Sequence, residues 1–370
     1  YKYLHWSQSQ MRSGSLWLYA SDGRFTCQDI REWPFVDPES APRAPSKYAS
    51  RLALFLSSSI PTVQVSWSHD VERIPDVERN GYIFTDGSGK IRRDVAEAVA
   101  KMVGCKVQPS AFQIRFGGAK GVVVWYPDVR KKLELRKSMV KFESPHDSLE
   151  VCNWSRNNPA SLNQQIVLLL AARGVRKEVF LELQEQVLLD TSKIVMDQKR
   201  AVQRLELAYK GPCLVDQLDH AHVELVNEPF FASLLRFLYR RDVQRLRQKT
   251  SIPIAEASLL LGVPDESQSL EYGEVYIQVS QPDPSGGLRK LIIKDCMVMV
   301  TKNPCLHPGD ILFLRAVDYP ALHHIVDCVV FPVKGHRPHP DESSGSDLDG
   351  DLYFCTWRQD LLPTTEYEPM

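Results

Sequence analysis

The spacing of apolar residues changes character along this chain and divides it into a β-rich, a helical and a second β-rich stretch. Over 94–103, Val95, Val99, Met102 and Val103 recur at helical spacing. Phe112, Ile114 and Phe116 then alternate as a half-buried strand does, and 122–125 is a short apolar run that predicts a more buried strand. Between them, Gly117-Gly118-Ala119-Lys120-Gly121 predicts a turn with a positive charge at its tip. From 159 to about 250 the pattern is helical: Asn158-Pro159 reads as a start, Gly174 as a C-cap, and Phe180, Leu183 and Val187 share one face. A helix over 228–248 carries an apolar face of Phe231, Leu234, Leu235 and Leu238. From 255 the strand pattern returns, with Val275, Ile277 and Val279 alternating and short apolar runs at 297–300, 311–313, 326–333 and 352–357. Residues 1–75 mix aromatic residues with Pro34, Pro38, Pro42 and Pro45 and predict one helix, over 46–58. No fixed-period repeat is present. The order predicts an α+β chain of two β-barrels joined by a helical connector.

At 370 residues the chain is long enough for two or three domains, each with its own core. Its formal charge of −1 is not that of a general nucleic-acid binder, so any such affinity has to come from local basic patches. Eight cysteines are scattered without a Cys-x-x-Cys pair, which argues against a zinc site and a disulfide framework. A reducing, intracellular compartment is expected, without a signal that separates nucleus from cytoplasm. The longest apolar run, 166–172, falls well short of the roughly 20 residues of a bilayer span, and no membrane partner is implied. With neither a signal-peptide pattern nor an initiator methionine, the chain reads as a piece of a larger protein.

The densest chemistry lies in Ser344-Gly345-Ser346-Asp347-Leu348-Asp349-Gly350-Asp351, where three carboxylates fall within five residues. In a straight strand the outer two would stand about 13 Å apart, whereas a magnesium ion reaches only about 2.1 Å to each oxygen. The backbone must curl to share one ion, and Gly350 permits the necessary dihedrals. An EF-hand would need glycine and glutamate where Leu352 and Arg358 stand, which excludes that loop. A solvated acidic loop is the competing reading, and the apolar runs on either side weigh against it. All-oxygen ligation suits magnesium, or manganese, and not zinc.

Asp347-Leu348-Asp349-Gly350-Asp351, preceded by Lys334-Gly335-His336-Arg337-Pro338-His339-Pro340, resembles the signature of cellular RNA-dependent RNA polymerases of the eukaryotic, RNA-silencing type. Lys302-Asn303-Pro304-Cys305-Leu306-His307-Pro308-Gly309-Asp310 and Tyr82-Ile83-Phe84-Thr85-Asp86-Gly87-Ser88-Gly89-Lys90 resemble that family as well, in its order. His5-Trp6-Ser7-Gln8-Ser9-Gln10 is a weaker likeness. The acidic segment alone is also similar to the magnesium loop of multisubunit DNA-dependent RNA polymerases. The resemblance implies two double-psi β-barrels facing one another: a lead-in at 1–75, the first barrel at 76–150, a helical connector at 151–255 and the second barrel at 256–370.

The same resemblance implies RNA-directed RNA synthesis on a single-stranded RNA template from ribonucleoside triphosphates, in RNA silencing beside Dicer and Argonaute proteins. Asp347, Asp349 and Asp351 would hold Mg2+, with Mn2+ as a substitute, and Lys120 would complete the catalytic group from the opposite barrel. Arg115 would contact substrate or primer-end phosphates beside it. The run is not a Walker A loop, since Gly121 leads into Val122-Val123-Val124 and not a helix. Lys90, Lys302 and Arg337 are further candidates for nucleotide or RNA contact, and Asp310 either caps a turn beneath the site or acts on substrate. Arg236, Arg240, Arg241, Arg245 and Arg247, facing Asp242, are either a solvated helix face or a track for RNA phosphates. The alternatives are a catalytically incomplete RNA-binding fragment and a DNA-templated two-barrel RNA polymerase.

Overall fold

The computed structural model describes residues 1–7, 10–11, 14–21, 23–33, 44–56, 58–208, 223–283 and 287–370. Pro34, Pro38, Pro42, Gln8, Ser9 and Cys213 lie outside the described residues. The N-terminal sheet has seven strands: β1 (Ile60–Gln64), β2 (Val71–Ile74), β3 (Ser88–Ile91), β4 (Ala111–Phe116), β5 (Ala119–Trp125), β6 (Leu133–Arg136) and β7 (Ser148–Trp154). They run in the order β1-β7-β4-β5-β3-β6-β2. Helix α1 (Arg93–Val103) buries Val95, Ala96 and Val99 against it and ends on the left-handed Gly104.

The C-terminal sheet comprises β8 (Asn158–Leu162), β9 (Ile252–Pro264), β10 (Glu274–Pro282), β11 (Leu288–Ile293), β12 (Cys296–Lys302), β13 (Leu312–Ala316), β14 (Cys328–Phe331) and β15 (Leu352–Thr356). Six of these close into a ring, β9-β14-β10-β13-β12-β15, because β15 pairs with β9 as well as with β12. Read along β12-β15-β9-β14-β10-β13, the pairings are antiparallel, antiparallel, parallel, antiparallel and parallel. Strands β7-β4-β5-β3-β6-β2 repeat that succession. The two sheets share one architecture, that of the double-psi β-barrel.

The barrels abut through a common apolar seam. Val123 faces the first barrel's own core, while Val122 and Val124 pack with Leu261, Val263, Tyr276 and Val330 of the second. Both faces of β5 are therefore buried, which is why the run reads as continuous valine instead of alternating. Between the barrels in sequence come α2 (Gln164–Ala172), α3 (Lys177–Lys193), α4 (Gln198–Ala208) and α5 (Pro229–Lys249). Ile166, Leu170 and Phe180 seat the first two helices on Ile252, Ile254 and Phe354 of the second barrel. No helix of the described residues is long and apolar enough to cross a membrane.

Three expectations need correction. Asn158-Pro159 does not start a helix: it opens edge strand β8, where proline's missing N–H breaks no ladder bond. The helix begins a turn later, with the Asn163 side chain accepting from the Ile166 N–H at 2.9 Å. The stretch before 76 is not all lead-in, since β1 and β2 are edge strands of the first sheet and the helix at Pro45–Phe55 precedes them. Lys120 is not at a turn tip. Gly117 and Gly118, both at positive φ, make a two-residue turn, and Lys120 sits in β5 directly opposite Arg115.

Candidate active site

The acidic segment leaves a short helix (His339–Glu342) and enters β15, and contacts from both barrels fix its path. Leu348 is sunk in the second barrel's core, and its N–H donates to the Asp86 carbonyl of the first barrel at 3.0 Å. The Gln113 side-chain amide donates to the Asp349 carbonyl at 3.1 Å, and the Tyr353 hydroxyl donates to that of Asp347 at 2.9 Å. Gly350 adopts φ +129°, and a Cβ there would run into Gln113. A Cβ on Gly87 would come 2.5 Å from the Asp349 Cβ. The two barrels meet backbone to backbone at this point.

That curl gathers Asp347, Asp349 and Asp351 so that one oxygen of each lies within 4.8 Å of the others, all half-buried. Burial, and then the neighbouring Asp349 and Asp351 charges, push the Asp347 carboxyl up to about 7. Asp86 is raised too, chiefly by burial, with Asp349 adding and Lys141 opposing. Converging carboxylate oxygens under such mutual repulsion fit a hard divalent cation.

Lys120 reaches across from β5, its Nζ 2.6 Å from Asp349 Oδ2. Lys302, at the end of β12, pairs with Asp351. Arg115 lines a cavity of 620 Å³ together with Arg51, Lys120, Lys141 and Asp349. A smaller cavity of 210 Å³ reaches Asp347 from the other side, between Tyr82, Asp86 and Asp341. A concave, cationic space beside a carboxylate cluster can hold a polyanion such as a triphosphate against an ion.

The other candidates point elsewhere. Lys90 lies 3.6 Å from Glu134 and 3.8 Å from Glu266, with its ammonium 5.7 Å from the Tyr126 ring centre. Arg337 is held by Asp341 at 2.6 Å and donates to the Met370 carbonyl. His339 is buried; its Nε2 accepts from the Gly273 N–H, so Nδ1 carries the proton donated to Glu342. Asp310 accepts from the Leu306 and His307 N–H groups and caps its turn, the first of the two roles open to it. Sequence reading missed Asp86, Gln113 and Lys141. Asp86 lies inside a block already singled out, but a lone polar residue, whether in a turn as Asp86 is or in a strand as Gln113 is, carries no spacing signal.

Comparisons with known proteins identify the family. The family profile "RNA dependent RNA polymerase" matches residues 1–370. RNA-dependent RNA polymerase 1 of Arabidopsis thaliana is 43% identical over 377 residues, covering 100% of this chain and 34% of that protein. RNA-dependent RNA polymerase 1 of Schizosaccharomyces pombe is 31% identical over 406 residues, covering 100% of this chain and 32% of that protein. The solved structure of RNA dependent RNA polymerase QDE-1 from Thielavia terrestris superposes with a TM-score of 0.72 at 26% identity, covering 88% of this chain and 39% of that one. The chain thus spans about a third of the length of these relatives. With two like-built barrels, an acidic loop and a facing lysine already in place, the match over its whole length makes this chain a member of the RNA-dependent RNA polymerase family.

Proposed function

We propose that this chain is the catalytic core of an RNA-directed RNA polymerase that extends RNA on a single-stranded RNA template by nucleotidyl transfer. One observation carries the reading: three carboxylates of one barrel converge within 4.8 Å while Lys120 of the other stands 2.6 Å from Asp349. Asp347, Asp349 and Asp351 would hold Mg2+ or Mn2+, which when bound neutralises developing charge and activates the attacking hydroxyl. Lys120, Arg115 and Lys141 would hold the phosphates of a ribonucleoside triphosphate in the 620 Å³ cavity. Lys302 would keep Asp351 oriented. In this reading 76–150, with the two edge strands that precede it, acts as the basic barrel, 256–370 as the acidic one, 151–255 as the connector and the residues before 60 as the lead-in. Likeness to the plant and yeast polymerases supports a place in RNA silencing, with Dicer and Argonaute proteins as partners. Seven free cysteines among the described residues support a reducing intracellular setting, nuclear or cytoplasmic.

The test is ribonucleotide incorporation on matched RNA and DNA templates, with and without chelator. Synthesis on RNA that needs the divalent ion and vanishes in a folded Asp349→Ala variant is the expected result. Undiminished synthesis by that variant sinks the site. Because the chain spans a third of its relatives, an RNA-binding portion without turnover is the second reading, shown by RNA binding with no synthesis.

A further inference from the structure

A cleft of 1170 Å³ opens between the barrels well away from the aspartates. Trp125 lies five residues along β5 from Lys120, about 17 Å away and on the opposite face of the sheet. The Trp125 N–H donates to the Ser110 carbonyl, and Trp154 pairs with Phe112. Positions 110 and 112 share a face of β4's path, so both indoles lie on one side, half-buried at the rim of the first barrel's core and about 12 Å apart, two strand spacings across and two residues along. Each carries a guanidinium: Arg93 lies 5.4 Å from the Trp125 ring centre and Arg156 5.2 Å from that of Trp154.

The charge along this cleft is one-sided. Arg93, Lys106, Arg156 and Lys290 line it against Asp327. Asp327 is half spent, since its carboxylate accepts from the Ser280 N–H and hydroxyl, and burial raises its pKa. Arg93 pairs with Glu97 on its own helix. At the floor, His324 packs edge-on to Trp125, and its Nε2 is buried without a hydrogen-bond partner. The chain's overall charge is −1, so this concentration of cations beside flat aromatic faces is local.

We propose that this cleft is a second binding site, for a single-stranded RNA segment held outside the catalytic cavity. Bases would stack on the indole and guanidinium planes while Lys106 and Lys290 meet phosphates. Stacking on a π-face tolerates every base, and the site therefore gives purchase without sequence preference. The choice of RNA as ligand rests on the polymerase reading.

The test uses single-stranded RNA of about 12 nucleotides, within the usual site sizes for such grooves, carrying photoreactive 4-thiouridine. Cross-links to Trp154 or the 104–110 segment are expected with the whole chain and equally with Asp349→Ala. Reversing charge at the two exposed phosphate contacts, Lys106→Glu with Lys290→Glu, is expected to weaken binding about tenfold and flatten the salt dependence by about 1.4 in log–log slope. Trp154→Ala should weaken it about tenfold as well. Unchanged affinity and slope in folded charge-reversal variants, or equal retention of an RNA duplex, overturns the proposal. The two readings fail separately: synthesis indifferent to Asp349 removes the polymerase and leaves the cross-links, whereas Asp349-dependent synthesis without cleft cross-links removes the second site alone.

Discussion

The two barrels follow the same succession of strand pairings, yet they bring opposite charge to their junction. The first presents Arg115 and Lys120 from a hairpin, and the second presents Asp347, Asp349 and Asp351 from a loop. What they share is backbone, and what separates them is a few side chains, on paired strands in the first barrel and on a loop in the second. The two lysines at the triad make the same point at smaller scale. Lys120 reaches Asp349 from the other barrel, so its pair exists only when the barrels are docked, while Lys302 reaches Asp351 from within its own.

The division of charge can be broken most severely from the acidic side. Asp349→Ala should lower ribonucleotide incorporation by about 10³-fold or more, read by primer extension at saturating magnesium, with an unchanged circular dichroism spectrum. Removing the cationic partner comes next. Lys120→Ala should reduce incorporation about 100-fold, mostly in kcat, if the ammonium acts on charge that grows during transfer. An effect confined to KM would instead make it a uniform phosphate contact.

A third variant attacks the contact between barrels without touching charge. Gly87→Ala places a methyl 2.5 Å from the Asp349 Cβ at a residue with φ +80°. Displacing that loop by even about 1 Å should cut incorporation roughly tenfold to 100-fold, with weaker manganese binding by electron paramagnetic resonance. The smallest effect is expected at Lys90. With Arg136 it spans from the first barrel to Glu266 of the second. Lys90→Met should therefore lower Tm by a few degrees and leave incorporation within about twofold. A loss beyond tenfold without a change in Tm would return Lys90 to the nucleotide site.

Much of this was legible in one dimension. Alternation at Phe112, Ile114 and Phe116 located β4, helical spacing at Val95, Val99 and Val103 located α1, and the triple aspartate marked the loop, because each signal is written in neighbouring residues. The Asn158-Pro159 pair misled because a proline suits the opening of an edge strand as well as a helix start.

By itself the sequence determined the periodic elements, the β-helix-β order and the clustering of carboxylates, all of which depend on spacings of a few residues. Only the tertiary structure decided that Lys120 faces Asp349, that Lys90 is held by Glu266, and that Asp86 and Gln113 brace the acidic loop. Those contacts join residues well over a hundred positions apart, and the docking of Val122 and Val124 against the second barrel's face sets them. A charge carries no address along the chain; its partner is chosen by which surfaces pack.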